Sequence, residues 1–302
     1  MTTSNKFVYI LILNWNGWKD TIECIVSCQK LSYTNYRILI IDNGSEDGSE
    51  LIIRKQFPDI PLIQTGSNLG FAGGNNVGIR QALAHGADYV WLLNNDTIVK
   101  SDALDELVNA AERDSITGIV GSKIYYHEDP VKIWFAGGIW RANRAFNTHR
   151  GYNEYDHGQY NTVQEVDYIT GCSLLIKSSV INAIGLMHEE YFLYWEETDW
   201  NTLAYKNGWK IIYVPSSIVW HKISSTIKND SYQQIYYYIR NGLLFFQRHE
   251  PKRLFYLFAH VIYHTLRLYK KGNINSAKAY RDGIKDFILR RFGKQNTTGT
   301  NR

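Results

Sequence analysis

From Phe7 to Asp114 the chain alternates short apolar runs with segments of helical spacing, and each apolar run stops at a polar cluster. "FVYILILNWN", "YRILIIDNGS", "IPLIQTG" and "DYVWLLNND" read as strands. "GWKDTIECIVSCQKL", "EDGSELIIRKQF", "GGNNVGIRQALAHG" and "DALDELVNAAERD" read as the helices between them, the last with acidic residues in its first turn. This rhythm predicts an α/β fold built on a mostly parallel sheet with helices on both faces. Such sheets bind ligands beyond the carboxyl ends of their strands. The expected ends are Asn14-Trp15-Asn16-Gly17, Asp42-Asn43-Gly44-Ser45, Asn68-Leu69-Gly70 and Asn94-Asn95-Asp96. One such end is an ordinary turn, since Asn, Asp and Gly favour turns. Four on one edge predict a pocket for a polar ligand.

The middle is less regular. "TGIVGSKIYY" and "KIWFAGGIWRANRAF" read as strands, the second broken at Gly-Gly, and residues 147–165 read as a loop. "VDYITGCSLLIKSSVINAIG" reads as a strand running into a helix. A helix and a final strand follow within "HEEYFLYWEETDWNTLAYKNGWKIIYVPSSIVWHK". Beyond residue 228 the spacing is helical throughout. The expected organisation is therefore a catalytic domain over residues 1–228 and a basic, aromatic-rich helical region over 229–302.

Charge supports that division. Residues 229–302 carry 14 Lys and Arg against 4 Asp and Glu, whereas the rest carries 19 against 25. A cationic C-terminal region favours an anionic partner. Its interleaved aromatic and basic residues suit a surface helix on an anionic leaflet; the plainer alternative packs the apolar stripe on the catalytic domain or on a second copy, giving a homodimer. No nucleic-acid motif is visible. No apolar stretch reaches the roughly 18 residues a span needs, and "MTTSNK" followed by "FVYILIL" does not read as a secretory signal. Cys24, Cys28 and Cys172 have neither disulfide-framework nor zinc spacing and read as buried apolar residues. A cytoplasmic protein, placed at the inner face of the membrane, is the expectation.

Three segments carry chemistry-bearing side chains. Asn94-x-Asp96 at a strand end is a minimal site for Mg²⁺ or Mn²⁺, which take oxygen ligands and lean on substrate phosphates. One carboxylate is thin, and His221, also at a strand end, is a candidate further ligand. "WEETDW" sets Glu196, Glu197 and Asp199 beside aromatic residues. Mutual repulsion and desolvation raise carboxylate pKa values towards the range of a general base; acidic residues at a helix start would look the same. "GSNLGFAGGNNVG" is a Gly-rich loop at a strand-to-helix junction, where backbone N–H groups can receive phosphate. It has neither the Walker pattern nor G-x-G-x-x-G after the first strand.

Taken together, "ILNWNG", "IIDNGSEDGS", "NLGFAGGNNVGI", "WLLNNDTIV", "ITGCSLLIKSSVINAIGLMHEEYFLYWEETDW" and "VWHK" resemble, in order, the family 2 glycosyltransferases. These are inverting enzymes of the GT-A nucleotide-diphospho-sugar transferase fold, and more narrowly the chain looks like the bacterial rhamnosyltransferase and galactofuranosyltransferase branch. The resemblance implies a nucleotide-sugar donor bound along Asn14, Asn16, Asp42, Asn43, Ser45, Asn68, Gly70, Gly73, Asn76, Asn94 and Asn95, with Asp42 accepting from the base ring N–H. It implies a divalent metal, Mn²⁺ or Mg²⁺, held by Asp96 with Asn94 and His221. It implies Glu197 as catalytic base, with Glu196 and Asp199 assisting or replacing it, and an acceptor side at Thr170, Gly171 and Trp195. The chain departs from the family at two places. Asn94 replaces the first acid of D-x-D, and Glu196-Glu197 replaces the E-D pair, so the base reaches one methylene further.

The implied activity is transfer of a sugar, first choice L-rhamnose from dTDP-rhamnose, to a hydroxyl of a saccharide or polyprenyl-diphosphate-linked acceptor in cell-surface polysaccharide synthesis. UDP-galactofuranose or another UDP-hexose is the alternative donor. A nucleotidyltransferase would show a basic Gly-rich loop after the first strand, and "NWNGWKD" does not. A carbohydrate- or lipid-binding protein without catalysis would have no need of "WEETDW".

Overall fold

The computed structural model describes residues 5–140, 147–222 and 232–295. Its first half runs β1 (Val8–Asn14), α1 (Trp18–Cys28), β2 (Tyr36–Asp42), α2 (Ser49–Gln56), β3 (Leu62–Gln64), α3 (Gly70–Ala84), β4 (Tyr89–Asn94), β5 (Thr97–Val99) and α4 (Ala103–Glu112). The second half runs β6 (Thr117–Tyr126), β7 (Ile133–Phe135), β8 (Gly138–Ile139), β9 (Thr148–His149), β10 (Gln164–Glu165), β11 (Ser173–Lys177), α5 (Ser178–Ile184), a 3₁₀ turn at Glu189–Tyr191, α6 (Glu196–Lys206) and β12 (Lys210–His221). Three helices follow: α7 (Tyr232–His249), α8 (Pro251–Lys270) and α9 (Ile274–Ile288).

The main sheet has ten strands, with the order β10-β12-β6-β11-β4-β1-β2-β3; β5 pairs with β12 and β7 with β6. β4, β1, β2 and β3 are parallel neighbours, and β12 lies parallel to β6. β11 is antiparallel to both its neighbours, so the sheet is mixed but mostly parallel. Helices cover both faces of the central strands, which is why they are apolar along their whole length rather than alternating. Val8, Ile10, Leu11, Ile12, Val90, Trp91 and Leu92 are all fully buried. The polar clusters begin where this cover ends.

Three details depart from the sequence reading. Helix α3 starts at Gly70 instead of Gly73. Gly70 has φ +77°, and a Cβ there would lie 2.2 Å from the carbonyl oxygen of Phe192, so the chain turns into the helix at a point only glycine fits. The short strand β5 was not expected; its three residues are extended because they pair with β12, from which more than a hundred residues separate them. The polar stretch 147–165 is largely irregular, as expected, but holds the two-residue strands β9 and β10. The Gly-Gly break falls between β7 and β8, where Gly137 has φ +103°.

The C-terminal residues are helical, as the spacing predicts. α7 buries Tyr236, Ile239, Arg240, Asn241, Leu243, Phe245 and Phe246, and the ring of Phe245 lies 5.0 Å from that of Trp195. The expected boundary at residues 228 and 229 lies outside the described residues. Cys24, Cys28 and Cys172 are buried free thiols. No described helix is long and apolar enough to cross a membrane.

Candidate active site

The polar strand ends meet as one hydrogen-bonded edge. Asn14 lies fully buried at the end of β1; its Nδ2 donates to Asp42 Oδ2 (2.8 Å) and to Ser45 Oγ (3.1 Å), and its Oδ1 accepts from Thr21 Oγ1 (2.8 Å). Asp42 Oδ1 accepts from the backbone N–H of Ser45 and from Gln64 Nε2. The Asp42 carboxylate therefore takes three protein donors and ties together the ends of β1, β2 and β3. Asn95 Nδ2 joins the cluster through Thr21 Oγ1 (3.0 Å).

In front lies an open cavity of about 350 Å³ lined by Trp15, Asn16, Gly44, Ser45, Gln64, Asn68 and others. Trp15 is half exposed, and Asn16 sits at φ +52°, its Oδ1 capping the N–H of Glu46. Asn43 and Asn68 shape the loop into α3: Asn43 Oδ1 accepts from Leu69 N, and Asn68 Oδ1 from Gly70 N (2.8 Å). Asn76 is placed elsewhere. It is buried on α3, where its amide pairs with both backbone groups of Met187 and with Glu189. Gly73 lies in the same packing, since a Cβ there would meet Leu69 at 2.8 Å. The cavity wall also includes Lys294, from the segment after α9, which no sequence motif marks.

At the end of β4 the antiparallel pairing of β5 with β12 sets Thr97 opposite His221, and so brings Asp96 to His221: Oδ1 to Nε2 is 3.1 Å. His221 is largely buried against the ring of Trp134. Burial opposes the charged form of His221, whereas the Asp96 carboxylate beside it favours that form. Asn94 and Asn95 are half-buried beside Asp96. Among the described residues no group of three His, Cys, Asp or Glu could hold a metal ion alone. A carboxylate and an imidazole with converging donor atoms nevertheless fit a Mg²⁺ or Mn²⁺ whose remaining positions are filled by phosphate and water. Burial pushes the Cys172 thiol up, against the pull of His221.

The three acids of "WEETDW" separate by environment. Glu196 and Glu197 open α6, and each has an Oε2 buried with no hydrogen-bond partner among the described residues. Glu196 is held well above the carboxylate range, first by burial and then by repulsion from Glu197. Burial also raises Glu197, to about 7, against the pull of N–H groups from Glu197, Thr198 and Gly171. Two neighbouring carboxyls pushed apart in this way mark distinct protonation roles. Asp199 is fully buried and engaged, its Oδ1 accepting from Tyr191 Oη (2.7 Å) and lying 2.7 Å from His249 Nε2. It ties α6 to α7.

Thr170 and Gly171 form the loop before β11. Gly171 approaches Glu197, while its neighbour Cys172 lies against His221. One short turn thus touches both the acid pair and the Asp96–His221 pair. Trp195 is buried, its Nε1–H donating to Tyr238 O (3.0 Å), so it supports this region from behind. Tyr168 was not anticipated. Its hydroxyl is buried close to Glu197 with no hydrogen-bond partner among the described residues. A lone tyrosine in a polar stretch carries no motif to mark it.

A sequence model described as "Glycosyl transferase family 2" matches residues 9–184. N-acetylglucosaminyl-diphospho-decaprenol L-rhamnosyltransferase of Mycobacterium tuberculosis is 28% identical over 212 residues, 63% of this chain and 67% of that protein. dTDP-rhamnosyl transferase RfbF of Shigella flexneri is 21% identical over 259 residues, 82% of each chain. Among solved structures, GalNAc-T7 with UDP, GalNAc and Mn²⁺ superposes with a TM-score of 0.60 at 15% identity, covering 78% of this chain; the match spans about half of that protein, 47%. The mannosyltransferase PcManGT from Pyrobaculum calidifontis, in complex with GDP-Man and Mn²⁺, gives a TM-score of 0.59 at 14% identity over 95% of this chain and 76% of that one. These two structures share the GT-A fold with this chain.

Proposed function

The chain belongs to glycosyl transferase family 2, and from that premise we propose that it is an inverting transferase that moves L-rhamnose from dTDP-rhamnose to a hydroxyl of a saccharide or polyprenyl-diphosphate-linked acceptor. The observation that carries this reading is the turn at Gly171-Cys172, which joins a carboxylate pushed up to about 7 to the Asp96–His221 pair. The choice of rhamnose leans on the rhamnosyltransferases among the relatives.

In this mechanism the cavity at Trp15, Asn16 and Ser45 receives the nucleoside, and Gly70 admits the donor loop close to the base-bearing segment. Asp96 and His221 would hold the divalent ion, which would supply charge neutralisation at the diphosphate. Lys294 adds a cation on the same side. Glu197 accepts the proton of the acceptor hydroxyl as that oxygen bonds to the anomeric carbon. The bond from that carbon to the diphosphate oxygen breaks on the opposite face, which inverts the configuration. Glu196, protonated, leaves one negative charge in the pair rather than two. Tyr168 Oη and Glu197 Oε2 are available to satisfy an acceptor hydroxyl.

A thermal-shift panel of nucleotide-sugars with Mn²⁺ tests the donor. dTDP-rhamnose is expected to raise the melting temperature more than UDP-galactofuranose or UDP-glucose, because ligand bound to the native state stabilises it. A larger shift with a UDP-sugar transfers the assignment to that donor. No shift with any of them leaves the binding-protein reading ahead.

We also place the protein against the inner leaflet. Phe255, Tyr256, Tyr263 and Leu266 form an exposed stripe along α8, Phe255 being 84% exposed. Lys252, Arg267 and Lys270 flank the stripe, and α8 contains no Asp or Glu. Aromatic residues edged by cations are the pattern of an interfacial helix. Flotation with phosphatidylglycerol vesicles should recover the protein, and Phe255→Ser with Tyr263→Ser should weaken recovery about tenfold. Equal absence from anionic and neutral vesicles, with a dimer by analytical ultracentrifugation, would instead assign the stripe to a second copy.

A further inference from the structure

Between Tyr191 and Trp195 the backbone takes three conformations that side chains disfavour: Phe192 at φ +62°, Tyr194 at +66° and Trp195 at +77°. Such residues persist only when their surroundings hold them, and they gather at functional sites. This segment leads directly into Glu196 and Glu197. Two groups of contacts hold it. On the donor side, Phe71 N donates to Phe192 O at 2.7 Å, beside the close approach of Gly70. On the other side the contacts come from consecutive residues of α7.

Asn241 is fully buried, and its Nδ2 donates to the carbonyls of Tyr191 (2.5 Å), Leu193 (2.7 Å) and Tyr194 (3.1 Å). Its Oδ1 accepts from Arg240 Nε at 2.9 Å, which fixes the amide in the orientation that points its N–H groups at the loop. Arg240 is 1% exposed. Its Nη2 reaches Tyr191 O (3.1 Å) and its Nη1 reaches Gly293 O (2.8 Å). One guanidinium therefore ties the strained segment to the residues that precede Lys294 in the donor cavity. Gly242 completes the run, since a Cβ there would stand 3.2 Å from the Trp195 indole ring. A buried arginine spent on main-chain carbonyls is costly to desolvate. Ordinary helix packing does not call for one.

We propose that Arg240, Asn241 and Gly242 are positioning residues of the active site, a clamp that holds the strained 191–195 segment so that α6 presents Glu197 in its enclosed place beside Gly171. The helices after β12 are then part of the catalytic unit. The proposal rests on Glu197 being the base. Titratable groups facing Glu197 are Glu196 on α6, Tyr194 in the clamped segment, Tyr168 before β11 and Tyr238 on α7.

The test uses the full chain labelled with ¹³C-glutamate, its Glu197 carboxyl resonance identified by its loss in Glu197→Gln. Asn241→Leu keeps the volume of the side chain, removes both N–H donors and adds no charge. Relative to wild type, its Glu197 resonance should titrate lower by about one pH unit, because a loosened segment admits water, and turnover of dTDP-rhamnose should fall about 100-fold with donor affinity retained. An unchanged titration midpoint in Asn241→Leu overturns the proposal, including where its melting temperature falls. Should Asn241→Leu not fold, Arg240→Lys, which keeps the charge and loses the fork, carries the same comparison. Full turnover in Glu197→Gln would remove Glu197 as the base, while the resonance of wild type against Asn241→Leu would still decide the clamp.

Discussion

Glu197→Gln is expected to retain nucleotide-sugar binding and to lose transfer by about 10³-fold, the contribution of a well-placed general base. Glu197 is surrounded by aromatic side chains at the start of α6, and the cost of burying its charge lifts the carboxyl to about 7 in spite of three backbone N–H groups that favour the carboxylate. A base with that value is half-ionised at neutral pH and still basic enough to take a hydroxyl proton. Below about 7 the carboxyl holds its own proton and cannot accept another, so kcat/KM should fall as pH drops through that value and level off above it. Gln keeps the volume and part of the hydrogen bonding but cannot accept the proton, so the limb disappears along with the rate. A variant that retained the limb near 7 would move the base to another group. Asp199→Asn should behave differently. Its partners are Tyr191 and His249 within the fold, and its expected defect is a lower melting temperature.

Asp96→Ala is expected to abolish the Mn²⁺-dependent part of donor binding and to lower kcat/KM on the order of 10³-fold, since a divalent ion supplies several kcal/mol of charge stabilisation at a departing diphosphate. With Asn94 in place of an acid, Asp96 is the only carboxylate of the Asn94-x-Asp96 pair, and His221 is the neighbour that faces it at 3.1 Å. Isothermal titration of dTDP-rhamnose with and without Mn²⁺ should show a metal-dependent affinity in wild type that Asp96→Ala lacks. EDTA treatment of wild type should reproduce the rate loss and Mn²⁺ should restore it. Equal donor affinity in both proteins, with EDTA inert, would mean that the diphosphate is neutralised by cationic side chains such as Lys294.

Local sequence determined much of this. The apolar runs at Val8, Tyr36 and Tyr89 are strands because both faces of a parallel sheet are covered. Their polar ends line one edge because strands of one direction finish on one side. Asp96, His221 and Glu197 could be picked out because each stands where an apolar run breaks at a polar residue. Their partners could not. The resemblance gives Asp42 a donor base to face, and the fold adds the protein donors Asn14, Ser45 and Gln64 around it. Asn76 reads as part of a Gly-rich donor loop, and packing assigned it to Met187. Tyr168, Lys294 and the Arg240-Asn241-Gly242 run carry no local pattern at all. Side-chain spacing reports which face of an element is buried, and short-range turn chemistry reports where the element stops. Which carbonyls a buried amide meets fifty residues away depends on how α7 lies against the strained segment before α6. That depends on the packing of the whole chain, and only the tertiary structure decides it.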